Sequence, residues 1–181
     1  MGITIHYNFK FNGSGKELLA KLELIYKEIK LMDIVEISKV EVHNKAMDCD
    51  INWKKNRGVG FEVNVMEGSE WFTVILFNRG IESWSSHEFT KTEYANDFMK
   101  CHKMVCSMLK VCEKHGILES VHDEAGYWDS MNDEVLIENK AQSEEDLEFL
   151  GQMLKGSGFN VVTGHNNSDK KKKPDHIIKS V

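Results

Sequence analysis

The feature that most narrows the fold is a change of hydrophobic period near the start of the chain. Over residues 3–11 the odd positions hold Ile3, Ile5, Tyr7, Phe9 and Phe11, with Thr4, His6, Asn8 and Lys10 between them. Alternate side chains of a strand point to opposite faces, so this stretch predicts a strand with one buried and one polar face. Asn12-Gly13-Ser14-Gly15 follows as a turn, and Ser14 with Glu17 three residues on has the form of a capping box. Beyond it Leu18, Leu22, Ile25, Ile29 and Met32 recur at helical spacing, while Lys16, Glu23, Lys27 and Glu28 take the wet side. A strand with one apolar face followed by a helix with one apolar stripe buries both by stacking them.

The remaining segments extend that arrangement. Residues 34–43 are rich in β-branched side chains and predict a second strand whose alternation slips near Ser38, where a bulge is expected. Residues 44–57 are polar and patternless, a loop. Residues 59–65 and 71–77 predict a hairpin around Glu67-Gly68-Ser69, followed by a short strand over 84–89. Lys91-Thr92-Glu93 is expected to open a second helix whose stripe is Tyr94, Phe98, Cys101, Val105, Met108 and Cys112, ending at Gly116. A strand over 117–122, an ordered turn over 123–133, a third helix over 143–155 and an edge strand over 159–162 complete the reading. Strand–helix–strand thus occurs twice, over 3–42 and 84–122, with the hairpin between. The expected class is α+β, a two-layer sandwich of helices on a mainly antiparallel sheet with a pseudo-duplicated plan. One domain is expected over 1–163, and a lysine-rich tail over 164–181 is expected to be disordered.

Charge and cysteine usage limit the function classes. The net charge is −6, and the tail holds five lysines against two aspartates, which leaves −9 on the body. Without a basic surplus to neutralise phosphates, nucleic acid is not an expected partner. Cys49, Cys101, Cys106 and Cys112 lack the two-residue gap of a zinc ribbon, and three of them fall in one helical segment. Free thiols there act as small core hydrophobes, which favours a reducing, cytoplasmic setting over a disulfide framework. No run of 18 apolar residues occurs, so no membrane partner is expected, and the first residues lack the basic-then-apolar form of a leader.

The densest polar group is His122-Asp123-Glu124 followed by Tyr127-Trp128-Asp129, where a strand leaves the sheet. Imidazole nitrogen and carboxylate oxygen suit zinc or manganese, but neighbours on a strand alternate, so at most two of the first three can share a ligand. The plainer alternative is turn hydrogen bonding by Asp123 and Glu124 under an aromatic cover. Lys91 and Thr92 at a helix start would offer free N–H groups to an anion, against the plain reading of Thr92 as an N-cap. Glu67 and Glu70 put two carboxylates in the hairpin turn. His102 lies one residue beyond its helix's apolar stripe and His6 on the polar face of the first strand; each is either a ligand-orienting group or a satisfied structural donor. Cys101 is a weaker nucleophile candidate, because burial disfavours the thiolate.

Four strings resemble a family of uncharacterised bacterial and archaeal proteins: Met1-Gly2-Ile3-Thr4-Ile5-His6-Tyr7, Glu67-Gly68-Ser69-Glu70-Trp71-Phe72, Lys91-Thr92-Glu93-Tyr94-Ala95 and Asp123-Glu124-Ala125-Gly126-Tyr127-Trp128. The likeness runs to about Leu154 and implies no particular reaction. Thr90 stands where that family carries a cysteine, and Ser69 is a second such place, so cysteine chemistry does not transfer to this chain.

Two functions are therefore expected to compete. In the first, Glu70, Lys91, Thr92, His102, Asp123, Glu124 and Tyr127 converge on one polar pocket for a small molecule, with or without a divalent metal. Were it an enzyme, Asp123 or Glu124 would serve as general base and Lys91 would stabilise negative charge. In the second, the domain is a protein-interaction module, in its simplest form a homo-oligomer through the exposed sheet. No motif specifies a cofactor.

Overall fold

In the computed structural model, residues 3–45, 56–156, 159–160 and 179–180 are described. They fall in two compact units, Gly2–Ile137 and the stretch from Glu138 onward. The larger unit is an α+β two-layer sandwich whose antiparallel sheet runs β2–β4–β5–β6–β1–β7, with β3 also paired to β4.

Strand β1 (Thr4–Asn12) is the centre of this plan, paired with β6 (Ser83–Lys91) on one side and β7 (Leu118–Asp123) on the other. Its alternation is realised: Ile5, Tyr7 and Phe9 are wholly buried, whereas His6 and Asn8 stay partly in water. The Tyr7 hydroxyl accepts from Thr73 N at 3.1 Å and meets the Thr90 hydroxyl at 3.0 Å, both inside the sandwich. Burial pushes its ionisation far above the ordinary phenol range.

Helix α1 (Gly15–Ile29) starts at the capping box: Glu17 N donates to Ser14 Oγ, and Ser14 N donates to Glu17 Oε2. It buries Leu18, Leu22, Ile25 and Ile29. The strand expected over 34–43 is two pieces, β2 (Glu36–Ile37) and β3 (Glu41–Lys45), which both pair with β4 (Asn56–Asn64). The break falls at Ser38, whose hydroxyl accepts from Glu62 N at 2.9 Å in place of a backbone carbonyl. β4 and β5 (Phe72–Gly80) form the expected hairpin, and β5 continues into β6, which runs to Lys91.

Two helix starts differ from expectation. Helix α2 is Phe98–Lys114; Lys91 closes β6, and the residues after Thr92 form a turn closed by Ala95 N donating to Thr92 O. The cap is Asp97, whose Oδ1 accepts from Lys100 N at 3.0 Å, so Thr92 is no N-cap and Lys91-Thr92 offers no helix-start anion site. After the short α3 (Tyr127–Ser130), helix α4 (Asp133–Gly156) starts well before residue 143, because Asn132 Oδ1 accepts from Glu134 N at 2.9 Å.

The two strand–helix–strand passages are not equivalent. From β6 the chain crosses through α2 to β7 and leaves one strand, β1, between them, whereas from β1 it crosses through α1 to β2 over three intervening strands. In the smaller unit the stretch of α4 from Glu138 is followed by β8 (Phe159–Asn160), which pairs with β9 (Lys179–Ser180). The lysine run of the tail and Cys49 lie outside the described residues.

Candidate functional site

The start of β1, the ends of β6 and β7 and the first turns of α2 meet at one end of the sheet, where Thr4 faces Lys91 and Ile5 faces Asp123. The pleat divides the polar residues gathered there into a buried set and an outer set.

On the buried side Thr92, His102 and Asp123 form a chain of hydrogen bonds. His102 Nδ1 lies 2.9 Å from the Thr92 hydroxyl and Nε2 lies 3.1 Å from Asp123 Oδ2, with both ionisable side chains shut off from solvent. An imidazole protonated at Nε2 donates to Asp123 and accepts from Thr92, which satisfies both nitrogens. Asp123 also accepts from Ala125 N at 2.8 Å and Trp128 N at 2.9 Å. Burial would raise its carboxyl, but the His102 contact and these N–H groups together hold it below the usual range. Phe98 and Tyr127 close over the imidazole, the Tyr127 ring edge-on at 6.2 Å.

His102, Cys106 and Asp123 have ligand atoms within 4.8 Å of one another, all buried, the one such group among the described residues. Both histidine nitrogens and both Asp123 oxygens are already bonded, and burial and the Asp123 charge push the Cys106 thiol well up. A metal here would have to displace existing bonds of His102 and Asp123 and the proton of Cys106. Cys101 is equally unsuited to attack, its thiol pushed up to about 11 by burial.

Because Asp123 points inward, its neighbours His122 and Glu124 point outward. Glu124 Oε2 accepts from Thr4 N at 2.8 Å, and Oε1 lies 3.6 Å from His6 Nε2. His122 stands directly across from His6, their rings stacked with centroids 6.2 Å apart, and His87 stacks on the other side of His6 at the same distance. Asn8 Oδ1 lies 2.6 Å from His87 Nδ1 and Asn8 Nδ2 donates to Ser120, which orients the His87 ring and leaves its Nε2 pointing away. Lys91 lies across from Thr4 on this outer side; its N–H donates to Glu70 Oε2 and its carbonyl accepts from Glu70 N.

Of the seven residues expected to converge, Thr92, His102, Asp123 and Tyr127 do so, in a closed interior. Glu124 and Lys91 belong to the open face, and Glu70 is engaged with the Lys91 backbone. His87 was not anticipated, since only the β1–β6 register brings a residue so distant in sequence beside His6.

Fold and site together define an α+β sandwich with an imidazole–carboxylate cluster on the outer face of its sheet and a buried Thr–His–Asp chain on the inner one. Neither a protein-family model, nor a curated protein, nor a solved structure gives a significant match to this chain.

Proposed function

We propose that the protein binds a small anionic ligand on the open face of its sheet, with a divalent transition metal held by His6, His122 and Glu124. The carrying observation is the placement of Glu124: one carboxylate oxygen is fixed on Thr4 N and the other is aimed at His6, directly beside His122. A hydrogen-bonded carboxylate whose second oxygen lies 3.6 Å from one imidazole, itself stacked on another, is a donor set suited to zinc. Two imidazoles on one tetrahedral zinc have ring centres roughly 5 Å apart, given Zn–N bonds of about 2.0–2.1 Å. The observed separation is 6.2 Å, so binding requires these side chains to rotate toward one another. Three protein ligands on a water-facing surface leave a coordination position open, which an anionic ligand fills while Lys91 adds positive charge on the same face.

Titration of the metal-free protein with Zn²⁺ in a calorimeter is expected to show one site. His6→Ala, His122→Ala and Glu124→Gln should each weaken it roughly 10- to 100-fold, and Lys91→Ala should leave zinc binding intact but weaken phosphate binding to the zinc-loaded protein. Unchanged zinc affinity in the His6→Ala, Glu124→Gln double variant would remove the metal from this reading. No melting-temperature response to zinc, manganese or phosphorylated metabolites would favour the interaction-module alternative.

A further inference from the structure

At the opposite end of the sheet, among the described residues, the helical layer leaves Val42 half exposed. Val42 pairs with Val59, and Val59 with Leu76, a core residue, so all three face the helices. The first turns of α1 stand beside them, and an open groove of about 700 Å³ lies between, bordered by Lys16, Leu19, Val42, Arg57, Val59 and Trp84. That volume falls within the roughly 300–1,000 Å³ of small-molecule sites. None of the seven residues anticipated from sequence lines it.

The groove is walled mainly by apolar side chains, with Asn78 as an uncharged polar member, and carries two cations. Leu19 and Val42 are 42% and 46% exposed, although both are aliphatic and both face the same groove. Trp84 presents only its ring, because its indole N–H donates to Gly13 O at 3.1 Å. Among the described residues the side chains of Lys16 and Arg57 have no ion-pair or hydrogen-bond partner, and the lining holds no acidic residue. Among the described residues, two unpaired cations on a trough without acidic lining stand out in a chain of net charge −6.

We infer that this groove binds a monomeric organic anion with an apolar chain, such as a medium-length alkyl carboxylate or alkyl phosphate. A neutral apolar molecule would leave both cations unused and an organic cation would be repelled. A bare anion would leave the aliphatic walls wet. Only a ligand with both parts uses the aliphatic walls and the two cations together.

The test is calorimetric titration of the full-length protein with octanoate, octyl phosphate, octanol and octylammonium. Octanoate or octyl phosphate should bind, with their ratio showing which head group is preferred, while octanol binds at least tenfold more weakly and octylammonium not at all. Lys16→Glu and Arg57→Glu, both at exposed positions, should each weaken octanoate roughly five- to tenfold, and raised salt should weaken it further. Octanol binding as tightly as octanoate, or octanoate affinity unaltered in the double charge reversal, would overturn the proposal. Neither result bears on zinc binding at His6, His122 and Glu124, at the far end of the sheet.

Discussion

Asp123 sits between two residues that face the other way, and the three hydrogen-bonding neighbours of its side chain fix which side of the sheet each of the three takes. Replacing it with alanine leaves His102 Nε2 and two backbone N–H groups without a partner. Each buried donor left unpaired typically costs about 1–3 kcal/mol, and a loss of at least that size is expected here in the unfolding free energy from denaturant titration. Thr92→Val, which removes one neutral hydrogen bond, should cost about 1–2 kcal/mol. The pH dependence follows from the direction of the Asp123 shift. A carboxyl held below its unfolded value of about 3.9 contributes stability in full above that pH and loses it as the pH falls through the folded value. Unfolding free energy measured against pH should therefore fall as the solution is acidified below about pH 4, and Asp123→Asn should flatten that part of the curve.

Elements were legible in the sequence wherever a single period or a local cap specified them. The strand at residues 4–12 and the helix behind the Ser14–Glu17 box are such cases. Ser14→Ala should lower stability by about 1 kcal/mol, measured by thermal or denaturant unfolding. Starts set by a cap of ordinary appearance were not legible: Asp97 and Asn132 each begin a helix where the apolar stripe alone would place the boundary elsewhere. Gly60 shows a constraint of another kind. A Cβ there would lie 1.9 Å from Val74 O and 2.5 Å from Ile75 Cα, both backbone atoms of the adjoining strand. Gly60→Ala must push β4 and β5 apart, and a loss of at least about 3 kcal/mol is expected, whereas Ala at exposed helix positions should change little.

At the scale of the molecule the sheet sorts polar residues that looked like one group into an interior and a surface. His122, Asp123 and Glu124 were visible as a cluster, and strand alternation already implied that they divide. Which residues would join each side depended on the pairing of β1 with β6 and β7, a long-range property that no local pattern carries. The groove near Trp84 was invisible for the same reason, since its walls come from four strands and a helix. β1 contributes Ile5, Tyr7 and Phe9 to the interior and His6 to the surface by strict turn-taking. An inserted residue between Thr4 and His6 would thus exchange the two roles at once, drowning aromatic rings and entombing an imidazole. Natural length variation is therefore tolerable in the loops but intolerable in this strand.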